Sequence, residues 1–113
     1  MVARITRYRV RAGKMAEFTA TVEAVTAALD KLEGFRVLVI LRGEEQSGRD
    51  ATAISVWDSV DHMKSSESDK FYYEAIKRLT GYCESFSPMH LHEVLKIKFA
   101  NLWSDLDHLR QIR

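Results

Sequence analysis

An α+β fold of order βαββαβ, with helices on one face of a four-stranded antiparallel sheet, is predicted for this 113-residue chain by three observations. Apolar residues at Met15, Phe18, Val22, Val25, Leu29 and Leu32 step by three and four, which lays one stripe along a helix. Two β-rich runs, Phe35 to Leu41 and Ala51 to Trp57, follow in succession across a polar, Gly-bearing loop. A second helical stripe begins near Phe71 and gives way to a further apolar run after Pro88. Two helices separated by a hairpin, with a strand at each end, form the split βαβ or ferredoxin-like plan.

Each element has a local cause. Val2 to Val10 alternates and is rich in β-formers, and Ala12-Gly13 breaks it, giving strand one. The first helix is expected to end at Gly34, a residue suited to a helix stop. In strand two both alternating sets are apolar: Phe35, Val37, Val39 and Leu41 on one side, Leu38 and Ile40 on the other. Gly43 to Asp50 then connects it to strand three. Ser59 starts a short helical turn through Val60 and Met63, and Phe71, Ala75, Ile76, Leu79 and Tyr82 make the second stripe, with Gly81 loosening its end. Pro88 is expected to close the helical region, and Met89 to Phe99 to form the last strand with Leu91, Leu95, Ile97 and Phe99 on one face. Residues 1–100 thus read as one domain, and residues 101–113 as a helical tail in which Leu102, Trp103, Leu106, Leu109 and Ile112 fall at helical spacing.

Helices on one face can bury only one of the two apolar sets of strand two. The other predicts a homodimer formed through the open sheet face. Composition excludes other partners. Seventeen Lys plus Arg against sixteen Asp plus Glu leave no field to draw nucleic acid or anionic membrane. Strand three also lacks the aromatic and Gly-rich signature of an RNA-recognition sheet. No apolar run approaches 18 residues, the start Met1-Val2-Ala3-Arg4 lacks the apolar core of a signal peptide, and Cys83 is a single cysteine, so a cytoplasmic protein is expected.

Few residues point to chemistry. The run Ala53 to Ser59 stops on Trp57, a large aromatic at a strand end that suits either core packing or the wall of a pocket. Tyr72 and Tyr73 point about 100° apart on a helix, so only one can face a pocket, and Tyr72 is nearer the apolar stripe. His90 and His92 share a strand face, but no third ligand is identifiable and no metal site is expected. Cys83 reads as a buried, inert thiol, and Arg7, Arg9 and Arg11 as a charged strand face answered by neighbouring carboxylates.

Three segments carry a family resemblance. Arg7-Tyr8-Arg9-Val10-Arg11-Ala12-Gly13-Lys14 resembles the strand-to-helix start of the antibiotic biosynthesis monooxygenase superfamily, Glu33-Gly34-Phe35 its turn into strand two, and Val56-Trp57-Asp58-Ser59 with Asp69-Lys70-Phe71 its most recognisable segment. The resemblance spans about residues 2–99 and implies a dimeric α+β barrel. It implies one of two activities. In the first, a cofactor-free monooxygenase oxidises an aromatic or polyketide-like substrate that itself gives electrons to oxygen once deprotonated. Trp57, Tyr72 and Thr6 would then be the catalytic residues, and Phe71, Ala75, Arg78 and His62 would contact a small apolar or aromatic ligand, with no cofactor or metal. In the second, haem degradation, the strand-one Asn and helical His of that branch fall at Thr6 and Ala75 here, which makes the alternative a haem- or tetrapyrrole-binding or degrading protein with non-standard ligation. A ligand-binding dimer without catalysis is the remaining alternative.

Overall fold

Alternation along β1 (Val2–Val10) puts Val2, Arg4, Thr6, Tyr8 and Val10 on one side of the sheet, where Tyr8 and Val10 join the hydrophobic core. The structure, a computed structural model, describes residues 1–88 and 90–100. Its remaining elements are α1 (Met15–Leu29), β2 (Phe35–Arg42), β3 (Asp50–Trp57), α2 (Val60–Ser66), α3 (Lys70–Gly81), β4 (Cys83–Phe86) and β5 (His90–Glu93). The α+β class and the antiparallel sheet are as the sequence predicts. The sheet order is β2-β3-β1-β4, with β5 also paired to β1. Because β3 runs along one edge of β1 from Val2 to Arg9, the other edge carries both β4, opposite Tyr8 to Val10, and β5, opposite Val2 to Ile5. The fourth strand of the predicted plan is therefore two short strands in line.

Four expectations are corrected. The first helix stops at Leu29, five residues before Gly34, because the N–H groups of Lys31 and Leu32 turn back to the carbonyls of Ala28 and Leu29 and the chain tightens. Gly34 then reverses it at φ +81. In β2, Phe35 does not share a face with Val37: it pairs with Trp57 while Val37 pairs with Val56, so Arg36 is bulged and Phe35 turns to the helix side, edge-on to Trp57 at 5.5 Å. On α3, Phe71 is 75% exposed, and the buried residues are Tyr72, Ala75 and Leu79. Pro88 does not close the helical region. That region ends at Gly81, and Cys83 already pairs with Val10.

The last strand is likewise short. It spans His90–Glu93, and just past it the Val94 N–H donates to the Met1 carbonyl at 3.1 Å. Leu95 and Phe99 are exposed. The expected tail helix over residues 101–113 lies outside the described residues.

The core sits between the sheet and the helices. Trp57, Phe18, Leu29, Met63 and Val10 are fully buried there, and α1 packs against α3. Side-chain caps fix the two later helices: the Ser59 hydroxyl accepts from the His62 N–H at 3.2 Å, and the Asp69 carboxylate from the Tyr72 N–H at 2.8 Å. On the uncovered face, Val39 and Leu41 of β2 are 40% and 49% exposed. Among the described residues no helix is long and apolar enough to cross a membrane.

Candidate functional site

Between α3 and the β1–β4 edge the covered sheet face opens into a cleft of about 410 Å³, within the range of small-ligand sites. The short strands cause it, since Phe86, Ser87 and Pro88 form its rim where β4 ends. Its floor is Arg4, Thr6 and Tyr8 from β1, and its wall is Tyr72, Ile76 and Thr80 from α3. A narrow continuation of about 40 Å³ runs inward past Ala53 and Ser55 towards Leu29, sharing Arg4, Thr6, Tyr8, Tyr72 and Ile76 with the cleft. That space admits about one water and no ring.

Arg4 is the charged centre. Its Nη2 donates to the Tyr72 hydroxyl at 2.7 Å, and its Nη1 lies 3.7 Å from a Glu67 carboxylate oxygen. The guanidinium carbon stands 5.8 Å from the centroids of both the Trp57 and Tyr72 rings, within cation–π range of each. An arginine only donates, so the Tyr72 oxygen accepts here and its own proton remains to be given elsewhere. Burial raises the pKa of Tyr72; the Arg4 charge opposes this and the Glu67 charge adds to it. Burial likewise pushes Tyr8 up to about 12, reinforced by Tyr72 and Cys83 and opposed by Arg4 and the Thr6 hydroxyl. Both phenols are therefore proton donors at neutral pH, not bases.

The structure brings Thr6 and Tyr72 together in this cleft. The other expected site residues lie elsewhere. Trp57 lines neither space: it is wholly buried behind Arg4, with its Nε1 donating to the Ser55 hydroxyl at 3.0 Å. Phe71, Ala75 and Arg78 line an open groove on the opposite flank of α3, against Ala24 of α1 and Lys31 in the turn after it. His62 packs on the turn at Gly34, where its Nδ1 meets the Ser59 hydroxyl at 2.8 Å and its Nε2 lies 3.8 Å from Glu33. Tyr73, which is 56% exposed, reaches the rim of the cleft beside Tyr72.

Arg4, Tyr8, Ser55 and Glu67 were not singled out by sequence reasoning. The one available signal was the alternation of β1, which puts Arg4, Thr6 and Tyr8 on a single face. The Arg7 and Arg9 face is the opposite one, and there Arg9 is met by Asp50 at 2.9 Å and by Glu84 at 3.6 Å, as expected. The Cys83 thiol is buried and its pKa raised by burial, with its Sγ 3.7 Å from the Leu79 carbonyl. Among the described residues no cluster of three or more His, Cys, Asp or Glu could hold a metal ion.

Comparison with known proteins defines the class. Residues 1–78, well over half of the chain, match the antibiotic biosynthesis monooxygenase family, and the protein belongs to it. SnoaB, a cofactor-independent oxygenase from Streptomyces nogalater, superposes with a TM-score of 0.74 at 18% identity, over 85% of this chain and 94% of that one. A Bordetella bronchiseptica protein named for the same family gives 0.74 at 19% identity over 84% and 97%. A conserved protein from Methanosarcina mazei Go1 gives 0.73 at 13% over 81% and 90%. At these identities the likeness is one of fold. No curated protein sequence matches the chain.

Proposed function

We propose that the protein is a cofactor-independent monooxygenase acting on a small aromatic or polyketide-like molecule that carries an acidic hydroxyl or an enolisable ketone. The observation that carries this reading is the Arg4–Tyr72 pair at 2.7 Å on the floor of an otherwise largely apolar cleft. Oxygenation without a cofactor needs the substrate as an electron-rich anion. A guanidinium held by the Tyr72 hydroxyl and within cation–π range of two rings stabilises such an anion where it forms, and the Tyr72 proton completes the oxyanion contact. Trp57 serves this site at one remove, as a ring within cation–π range of Arg4, and Thr6 lines the floor between Arg4 and Tyr8. Membership of the family and the likeness to SnoaB support the reaction class. The test is oxygen consumption with an anthrone. Arg4→Met is expected to lower kcat/KM by about 100-fold and Tyr72→Phe by about 10-fold, as for loss of a charged and a neutral hydrogen-bond partner. Uptake unchanged in both variants would sink the assignment.

The working unit in this reading is a homodimer formed through the uncovered sheet face, where Val37, Val39, Leu41 and Ile54 make an apolar surface on β2 and β3. Leu41→Lys places a charge in that face and is expected to shift the mass seen by light scattering from two chains to one. A wild-type monomer at micromolar concentration would remove the dimer.

A further inference from the structure

The oxygenase reading needs a group that takes the substrate proton, and the residues proposed so far do not supply one. Tyr8 and Tyr72 hold their own protons, and the hydroxyls of Thr6, Thr80 and Ser87 are far too weak as bases. Arg4 is a permanent cation. Among the residues that line the cleft, one carboxylate is left: Glu67, at the C-terminal cap of α2, where the turn into α3 aims it at Arg4.

We propose that Glu67 is the proton acceptor of the cleft, and that Arg4 changes partner from the Glu67 carboxylate to the ionised substrate oxygen as the proton moves. The inference rests on the oxygenase reading for the kind of substrate, though not for the binding step itself. In that step the substrate O–H bond, or the C–H bond beside a ring ketone, breaks and an O–H bond forms on a Glu67 oxygen. The electron pair stays on the substrate as an oxyanion facing Arg4. Nothing is oxidised or reduced, and one positive and one negative charge exist before and after.

This conservation of charge is the physical advantage. A ligand entering the cleft displaces water from a side chain that is 54% exposed in the open site, and losing water favours the protonated carboxyl. The cation beside it meanwhile favours ionisation of the ligand. Either half-step alone would change the net charge under the ligand by one unit, whereas the exchange leaves it unchanged. The existing contact is loose enough to be traded. Arg4 and Glu67 stand 3.7 Å apart, against 2.6 Å for the exposed Arg36–Asp58 pair. The competing explanation is an ordinary surface ion pair, which would contribute little and move no protons.

The two are separated by counting protons with 4-nitrophenol, whose anion is visible by absorbance, bound to the full-length protein at a pH below the phenol's own pKa. Wild type is expected to show the phenolate band on binding with no net proton released, as read by calorimetry in two buffers of different protonation enthalpy. Glu67→Gln is expected to keep the band while releasing about one proton per ligand, Glu67→Asp to restore the wild-type count, and Arg4→Met to lose the band. Oxygen uptake with an anthrone should fall by about 100-fold in Glu67→Gln, the usual scale for losing a general base. A wild type that releases one proton, a Glu67→Gln protein with the wild-type count, or the absence of any bound phenolate overturns the proposal. Proton exchange without oxygen uptake would instead count against the oxygenase reading alone. Uptake undiminished in Glu67→Gln would count against Glu67 alone.

Discussion

At the β2–β3 end of the covered sheet face, Trp57 is fully buried, bonded to Ser55 and edge-on to Phe35, while at the β1–β4 end the same face opens into the cleft floored by Arg4 and Tyr8. The difference follows from the strands that flank each end. β2 and β3 run eight residues each and pair side by side apart from the bulge at Arg36, and above them Ser55 and Trp57 are buried. β4 has four residues and ends at Phe86, and its successor starts at His90, so side chains above that edge have cover from α3 but little beside them. The packed end is set by volume and the open end by charge. Arg4 joins them, because its guanidinium lies on Trp57 and its hydrogen bond goes to Tyr72.

The largest expected effect tests the packed end. Trp57→Ala empties a site with no access to solvent and should cost about 3–5 kcal/mol, read as a lower urea midpoint. Trp57→Phe should keep most of the stability and, by leaving a ring under Arg4, most of the ligand affinity. If it keeps the midpoint but abolishes binding, the indole belongs to the site and the division between the two ends fails.

The open end should show itself at high pH. Tyr8 titrates at about 12 in the folded chain, chiefly because burial disfavours the phenolate, against an ordinary 10.0 when unfolded. Its raised folded value means the stabilisation is complete below pH ~10 and is lost as pH rises towards ~12, a loss on the order of 3 kcal/mol. Tyr8→Phe should flatten that alkaline limb in thermal denaturation. A limb of unchanged height would mean that Tyr8 does not differ between the two states. Somewhat smaller, about 2 kcal/mol, is the cost expected for Gly34→Ala at the packed end, where φ is +81 and a methyl would overlap the His62 ring. His62→Ala should recover part of that cost if the clash is its cause, and none if only the backbone angle matters.

How much of this the sequence showed depends on contrast. The stripe of α1 was legible because one face is apolar and the other is not, and β3 because its run is rich in β-formers and bounded by polar segments. The bulge at Arg36 was not, because with Phe35, Val37, Leu38 and Val39 all apolar a slip of one residue changes no pattern. β4 was hidden for a related reason: Cys83-Glu84-Ser85-Phe86 is too short to show a period and adjoins a helical stripe. In the site, Thr6 and Tyr72 were named from the family resemblance and meet in one cleft, whereas Phe71, Ala75 and Arg78 were named with them and lie on the other flank of α3. One residue on a helix is a rotation of about 100°, so Phe71 and Tyr72 are neighbours in sequence and belong to different grooves. Arg4 looked like Arg7, Arg9 and Arg11. What sets it apart is a hydrogen bond to a residue 68 positions away, which no local pattern carries.

The smallest effect compares the rims of the two ends in acid. At the packed end, Arg36 grips both oxygens of Asp58 at 2.6 and 2.8 Å, and at the open end Arg9 donates to Asp50 at 2.9 Å. Each arginine, through its hydrogen bond first, holds its carboxylate below the usual range. Because the folded pKa is the lower one, the unfolded chain takes up protons first as pH falls. The stabilisation is therefore whole above the ordinary carboxylate value and drains away below about pH 5. Both pairs are exposed, so the effect is small and salt should reduce it. The two ends should nonetheless differ. Among the described residues Arg36 is paired with Asp58 alone, whereas Arg9 also has Glu84 at 3.6 Å and Glu45 at 3.8 Å to turn to. Asp58→Asn should accordingly lower the neutral-pH melting temperature more than Asp50→Asn and remove more of the acid slope. Equal slopes in the two variants would mean that the spare carboxylates around Arg9 do not compensate, and that the crowded charge on the opposite face of β1 is as easily broken as the single pair beside Trp57.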